Sequence, residues 1–524
     1  MIENCELKIE NLIILMLKKL FLNNLFHVFV VFISVFMVFY ALEFNPRNPY
    51  FSGYDSFYHV GMSELIMQEG FTREFPYLYF TTINKGFSDN HLLFHLLMIP
   101  FILIFGNVIG PKIFIAFSMA MIFVLLFLIL KRLNFAWALP FTAVAFLLEP
   151  SDFYFRLAFI RDPTPSLFFL LLGLFLIAER RFIALSILAF LYGWLYTGGG
   201  FLFLLALIFI YEGVSLFVRK KVNWKIIIFP VLGTLLSLVI NPYFPANVKS
   251  IVLQIFQTGL QAKQYSGGEW YPYDTWFWFS ISYIPLLIWL GALATSLKKG
   301  IKLSIFSLSV FLFSLFLLIL TWKSKRFIEY WPFFAIFSGI LMAGKQLETW
   351  AKEITNEKLK LNFKKHKLYF FTILFSIALF GSLSFIYAKN EWQRAWKDTS
   401  MDYNVEKAKE AHEYLKKNSQ KGDIVFTDDW DVFPLYFFLN RQNYYIVGLD
   451  PEFMNQFSHD LYQQFANISS GNDGENLERI RDTFKSKWVI VKSDHAVFIG
   501  NLRAKKDLFQ EVFNNNDYFV FKVK

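Results

Sequence analysis

The sequence holds a single cysteine, Cys5, in 524 residues. That excludes an internal disulfide framework and any metal site built from clustered thiolates. Charge is scarce too: 18% of the residues are Asp, Glu, Lys or Arg, where soluble domains carry about a quarter. There is no repeat of fixed period, no Gly/Ser-rich or Pro-rich linker and no His/Cys cluster with zinc spacing. The amphipathic stretch before the first apolar run carries Lys8, Lys18 and Lys19, and no small-residue cleavage site follows. A cleaved signal peptide is therefore not expected, and the N-terminus is expected in the cytosol.

Hydrophobic residues fill the space that charge leaves, at 56% of the chain with 20% aromatic, which predicts a polytopic membrane protein. The net charge of +10 sits largely in short turns, among them Lys131/Arg132, Arg180/Arg181, Arg219/Lys220/Lys221 and Lys298/Lys299/Lys302. The positive-inside rule puts such turns in the cytosol, so the basic balance calls for a lipid bilayer and for no nucleic acid. Apolar runs occupy residues 25–42, 92–105, 113–130, 135–148, 166–178, 182–196, 201–217, 226–240, 275–297, 303–320, 327–343 and 368–387. With every basic turn cytosolic, parity holds only if one run does not span. The run 92–105 holds His95 and Pro100 and falls below the about 17 residues that a spanning helix needs. It reads as interfacial or re-entrant.

The expected architecture is a polytopic α-helical membrane domain of about eleven spans, over residues 1–388, with a long first outer loop at 43–91. A soluble extracytoplasmic α/β domain at 389–524 follows, with a helix pattern at 405–417 and the strand-like runs "DIVFT", "YYIVG", "KWVIV" and "YFVFK". Polar residues concentrate in four outer segments, 43–91, 149–165, 241–274 and 322–326. The multi-pass chain is expected in the plasma membrane.

The first outer segment contains Asp55-x-Phe57-Tyr58-His59, then a helix pattern from Gly61 to Gly70. This resembles the first acidic motif of oligosaccharyltransferase catalytic subunits, particularly the archaeal form. Those enzymes are GT-C glycosyltransferases, which transfer sugar from a polyprenyl-phosphate carrier outside the membrane. An Arg often follows that histidine; Gly61 and Met62 stand here. The segment "FRLAFIRDPTPSLFF" places Asp162 just before a span, where the family carries paired acids. Thr164 takes the partner's place, and Glu149 and Asp152 are candidates for the missing acid.

The third outer segment, "YSGGEWYPYDTWFWF", is similar to the family's glutamate loop, with Glu269 as its glutamate. An interfacial aromatic belt accounts for Trp276 and Trp278 but not for the Gly-Gly-Glu turn. In "WKSKRFIEYWPFF", Lys323, Lys325 and Arg326 lie at an outer span end against the positive-inside bias. Arg326, Phe327 and Tyr330 meet the family's Arg-Phe-x-x-Tyr pattern, whose arginine faces the carrier phosphate. Finally, Asp429-Trp430-Asp431 follows a helix and a strand, where the family has a Trp-Trp-Asp-Tyr-Gly motif that reads the acceptor peptide. Trp430 and Asp431 match it, and Val432 and Phe433 follow.

The resemblance implies Asp55 and Glu269 as catalytic residues and Arg326 with Lys325 on the donor phosphate. It further implies Asp55 and Asp162 as ligands of Mg²⁺ or Mn²⁺, and Trp430 and Asp431 on a protein or glycan acceptor. His59, Asp89, His91, Glu149, Asp152 and Arg161 are further candidates. The chemistry asks for these residue types on its own terms. Displacing phosphate from an anomeric carbon needs charge stabilisation on the leaving group, which the planar fork of arginine suits. It also needs a carboxylate to help the nucleophile, worth about 10²–10⁴-fold. Transfer of a single sugar to a lipid, glycan or protein hydroxyl is the alternative within the fold. A secondary transporter is the alternative outside it, and the runs carry almost no charge away from their ends to support one.

Overall fold

The computed structural model describes residues 24–197, 199–253, 267–298, 303–355, 367–401 and 403–524. Long apolar runs with few β-branched alternations become helices, as their period demands. In chain order these are α1 (Asn24–Glu43), α2 (Tyr54–Glu69), α3 (Leu92–Arg132), α4 (Ala138–Leu147), α5 (Ser151–Leu157), α6 (Pro163–Ala178) and α7 (Phe182–Leu195). Then come α8 (Gly200–Arg219), α9 (Trp224–Val239), α10 (Ala246–Leu253), α11 (Thr275–Lys298), α12 (Ile305–Lys323), α13 (Trp331–Thr355) and α14 (Lys367–Thr399). Among the described residues, α1, α3, α8, α11 and α12 are long and apolar enough to cross a bilayer, and α4, α6, α7 and α9 are shorter apolar helices.

The run 92–105 is the first limb of α3, and Gly106 ends it at φ 82° and ψ 168°. The chain then folds back on itself. The Phe94 and Phe101 rings lie 5.6 and 5.3 Å from that of Phe114, pairs that a straight helix would hold about 30 and 20 Å apart. Gly110 permits this approach, since a Cβ there would stand 2.3 Å from the Phe101 carbonyl oxygen. At 1.5 Å per residue the limb is about 20 Å long, short of the roughly 30 Å apolar core of a bilayer. The limb packs back on the second limb of α3.

One boundary differs from the sequence pattern in a way that matters. α2 begins at Tyr54 rather than at Gly61, so Asp55 lies in its first turn. The free N–H groups and dipole of a helix start favour a carboxylate there. Aromatic and Ser-containing "DSFYHV" has weak intrinsic helix propensity, and packing overrides it: Phe57, Tyr58, His59 and Val60 are all buried.

α14 runs without a break through positions 388 and 389, carrying the chain from the apolar bundle into the tail. The tail comprises α15 (Val405–Asn418), β1 (Ile424–Thr427), α16 (Phe433–Leu439), β2 (Tyr444–Tyr445), α17 (Pro451–Phe457) and α18 (His459–Ser469). It continues through α19 (Arg479–Asp482), β3 (Trp488–Lys492), α20 (Ala496–Ala504), β4 (Phe509–Asn514) and β5 (Tyr518–Val523). Its sheet has the order β2-β1-β3-β5-β4. β1 pairs parallel with β2 and β3, whereas β5 pairs antiparallel with β3 and β4. All four residues of β1 are buried, as a central parallel strand covered on both faces requires.

The tail is docked by main chain as well as side chains. Tyr445 of β2 donates its N–H to the Tyr77 carbonyl at 2.8 Å, and its own carbonyl accepts from Tyr79 at 2.8 Å. The first outer loop thereby extends the sheet edge beyond β2. Beside it, α16 lies across α2. Phe437 sits where a Cβ on Gly61 would meet it at 3.0 Å, and Arg441 donates to the Gly61 carbonyl and to Glu64, both at 3.0 Å. Gly61 is thus small because the tail needs the space.

The docking fixes the tail and the outer loops on one face, so both should be reached from the same side of the membrane. With Cys5 replaced, cysteines introduced at the exposed positions Gly268 and Asn472 should both react with an impermeant maleimide in intact cells. Labelling only after permeabilisation would invert the topology.

Candidate active site

The outer segments converge on one cavity of about 930 Å³, lined by Asp55, His59, His91, Arg161, Asp162, Glu269, Arg326, Trp430 and Asp431. Six segments of the chain, distant in sequence, supply these side chains. Local structure explains how. Gly53, at φ 74°, lets the Phe159 ring approach to 2.7 Å of where a Cβ would be, and the Arg161 guanidinium stacks 4.9 Å from that ring. Ser56 accepts from the Ile160 N–H at 3.0 Å, tying the first turn of α2 to the Arg161 segment. Ser324 donates to the Glu269 carbonyl at 2.9 Å, and the Lys325 N–H to that of Tyr271 at 3.0 Å, which holds the glutamate loop on the end of α12.

Arg161 is the centre of the electrostatics. Its Nη1 lies 3.1 Å from Asp55 Oδ2 and 3.4 Å from Glu269 Oε2, while its Nη2 lies 2.8 Å from Glu329 Oε1. The Asp55 and Glu269 oxygens therefore stand no further apart than those first two contacts laid end to end. Arg156 closes the cluster, reaching Glu329 at 2.7 Å and Glu269 at 2.8 Å. Arg326 adds a third cation, 3.3 Å from Glu269 Oε1, with its guanidinium 4.6 Å from the Trp270 ring centre. Burial would raise the Glu269 carboxyl, but Arg326, Arg156 and Arg161 outweigh it and hold it well below the usual carboxylate range.

A histidine chain forms the opposite wall. Asp89 Oδ2 lies 2.7 Å from His95 Nδ1, and His95 Nε2 lies 2.8 Å from His59 Nδ1. Asp89 can only accept, so His95 Nδ1–H donates to it, and the tautomer with His95 Nε2 as acceptor has His59 Nδ1–H donating and a lone pair on His59 Nε2. Burial, then His91, His95 and Arg161, push His59 well below the ordinary histidine value. His91 stands 3.1 Å from Asp162 Oδ1, and that carboxylate raises the imidazole despite burial.

Of the residues singled out from sequence, four do not face the cavity. Asp89 is enclosed beneath it, bonded to His95 and to the His91 N–H at 2.9 Å. Glu149 is fully buried with neither oxygen partnered, and burial pushes its carboxyl well up. It does not replace a missing acid. Asp152 accepts from the Tyr273 hydroxyl at 2.5 Å, bracing the glutamate loop from behind. Lys325 turns away, its ammonium 5.8 Å from the Tyr273 ring centre. Arg156, Glu329 and His95 carry no motif that sets them apart in the sequence. Their only signal there is polarity at or near the ends of apolar runs.

Asp55 and Asp162 line the same cavity, and Asp162 Oδ2 is buried without a partner, so this pair could hold the implied Mg²⁺ or Mn²⁺ only with ligands from elsewhere. Thr164, in the position of the second acid, donates its hydroxyl to the Leu157 carbonyl at 2.9 Å and is buried. Asp55 and Glu269 already share Arg161. Among the described residues, three carboxylate or imidazole ligand atoms gather within 4.8 Å of one another only at Asp428, Asp494 and His495, in the tail.

Asp431 opens on the cavity and is exposed overall, with protein crowding its carboxyl. Burial, then the charges of Asp55, Asp429 and Glu269, push its carboxyl up to about 7. A carboxyl raised on folding binds its proton more tightly in the native state, so its contribution to stability falls as pH rises from the unfolded value near 4 to about 7. Asp431→Asn should therefore melt at a higher temperature than the parent at pH 8. The gap should narrow below pH 7 and close near pH 4, as followed by intrinsic fluorescence.

No known protein-family pattern matches the sequence, and neither does any curated protein. Solved structures do match. The oligosaccharyltransferase of Archaeoglobus fulgidus, tethered to an acceptor peptide containing the NVT sequon, aligns with a TM-score of 0.57 at 13% identity over 95% of this chain and 74% of that one. The archaeal oligosaccharyltransferase AglB of the same organism, in complex with an inhibitory peptide and a dolichol-phosphate, gives 0.53 at 13% identity over 95% and 74%. ArnT from Cupriavidus metallidurans, bound to undecaprenyl phosphate, gives 0.56 at 14% identity over 94% and 97%. The chain thus has the fold of the GT-C membrane glycosyltransferases, a polytopic helical domain followed by a small sheet-containing domain.

Proposed function

We propose that this protein transfers a sugar or oligosaccharide from a polyprenyl-phosphate-linked donor to an acceptor at the outer membrane face. The observation that carries this reading is the meeting of Asp55, Glu269, Arg161 and Arg326 in one cavity beneath Trp430. Solved proteins of the same fold hold an acceptor peptide, a dolichol-phosphate or undecaprenyl phosphate.

In this reading Arg326 takes the donor phosphate. It is the most accessible of the three arginines, and its planar fork offers two parallel bonds to phosphate oxygens. Asp55, with its side chain 47% exposed and one oxygen held by Arg161, accepts the proton of an acceptor hydroxyl or orients an amide. Glu269 stays ionised among its arginines and fixes Arg326 at the spot where charge develops on the departing phosphate. Trp430 and Asp431 roof the acceptor side, Trp430 lying 3.7 Å from the Cβ direction of Gly267. A second reading, transfer of a single sugar to a lipid, glycan or protein hydroxyl, uses the same cavity. It is favoured by the partial acceptor motif, in which Val432 and Phe433 follow Asp431.

Asp55→Asn keeps size and removes the base. Turnover of lipid-linked donors in membranes should drop by about 10²–10⁴-fold, with expression and melting unchanged. Undiminished turnover would remove Asp55 from catalysis. Arg326→Lys should raise the donor KM, because a point charge loses the paired geometry, whereas a lower kcat at unchanged KM would place the arginine on the transition state alone.

A further inference from the structure

The tail carries a second cluster that the sugar-transfer reading does not use. β1 and β3 are parallel neighbours, with Thr427 paired to Ile490. Residues just past their ends therefore share one edge of the sheet, the edge at which parallel sheets bind ligands. Asp428 follows β1, and Asp494 and His495 follow β3. We propose that these three residues bind one divalent transition ion of the Zn²⁺ or Mn²⁺ class, and that the ion fixes the loop bearing Trp430 and Asp431.

Ligand atoms of the three residues lie within 4.8 Å of one another. His495 Nε2 stands 3.9 Å from both Asp428 Oδ2 and Asp494 Oδ1. Those separations are too long for hydrogen bonds. They exceed the spacing of about 3.3 Å between ligands on a tetrahedral ion by only roughly 0.5 Å. The imidazole is already turned the right way. Its Nδ1 lies 3.4 Å from the Ser469 carbonyl and donates to it, which leaves the Nε2 lone pair facing the carboxylates.

Asp428 supplies the independent sign of a missing ligand. Its side chain is 1% exposed, its Oδ2 accepts from the Lys492 N–H at 2.6 Å, and its Oδ1 has no partner. Buried carboxylate oxygens are seldom left so. The Lys492 ammonium goes instead to Asp494 Oδ2 at 2.9 Å. Access is open, because Asp494, His495 and Ser469 line a hollow of about 180 Å³. One imidazole nitrogen with two carboxylate oxygens suits Zn²⁺ or Mn²⁺ better than Ca²⁺ or Mg²⁺, which take oxygen shells.

The consequence lies in the next three residues. Asp428 opens the loop in which Asp429 Oδ1 accepts from the Asp431 N–H at 3.1 Å, and that loop roofs the cavity with Trp430 and Asp431. An ion would clamp the loop's root to the end of β3. The site involves no residue that lines the cavity and does not depend on the reaction the cavity performs.

The experiment uses the full chain in detergent, stripped with a chelator and titrated with Mn²⁺ alone, followed by electron paramagnetic resonance. His495→Gln and Asp494→Asn are the comparisons, since both side chains are part-exposed and tolerate replacement. The wild type should bind one ion more tightly than either variant, by about tenfold or more, and that ion should slow hydrogen exchange at residues 428–433. Equal stoichiometry and affinity in all three proteins would overturn the site. Binding with unchanged exchange at 428–433 would overturn the clamp.

Discussion

Everything around the cavity depends on one guanidinium. Arg161 is 3% exposed, and a cation so placed is tolerable only if its charge is met on the spot. Asp55, Glu269 and Glu329 meet it from three other segments. Arg156 then stabilises the two glutamates, and Arg326 the more exposed of them. Three acids against three arginines leave the cluster close to neutral. Removing Glu329, the most buried of the three acids, would strand a buried charge at a cost of about 3–5 kcal/mol, whereas Asp55 is half-exposed and water can take its place. The cluster therefore welds the first outer loop, the segment before α6, the glutamate loop and the start of α13 into a single rigid wall. Pre-organisation of this kind is what electrostatic catalysis requires.

The tail domain completes that wall. Its sheet receives the Tyr77–Tyr445 hydrogen bond, its Arg441 reaches into α2, and its α16 covers Gly61. α2 is thus held at its start by Tyr403, whose hydroxyl accepts from the Gly53 N–H at 3.0 Å, and along its length by Phe437. The helix that presents Asp55 is a joint product of both halves of the chain.

Much of this is legible in the sequence, and what is not has physical causes. Asp55, Asp162, Glu269 and Arg326 stand out through the motifs around them, which resemble those of oligosaccharyltransferase catalytic subunits, and for Arg326 also through a charge at a span end. Trp430 and Asp431 stand out because of the strand before them. The short run 92–105 is recognisable by length, and Gly106 is the hinge that makes it fold back. The partners stay hidden. Arg156 and Glu329 look like interfacial residues until the fold places them 2.7 Å apart. His95 sits within a run that reads as apolar, yet it bridges Asp89 and His59. The start of α2 escapes a local reading because propensity is weak there. The decisive contacts come from residues more than 300 positions away, such as Phe437 and Arg441.

The near-neutral cluster has a consequence for how an anionic carrier would bind. Because three carboxyl groups face three guanidinium groups, no strong net field would draw a phosphate in, so affinity would have to come from one local exchange. Arg156 and Arg161 are committed, each bonded to Glu329 at 2.8 Å or less and to a second carboxylate. Arg326 is not: its single carboxylate contact is 3.3 Å long and its side chain is 22% exposed. A phosphate arriving in the cavity can take the free face of that guanidinium while Glu269 keeps its bond to Arg156, so no buried charge is stranded during binding. Loosening the pair made by the most exposed arginine is the cheapest route to the site, because Glu269 keeps its other two guanidinium partners.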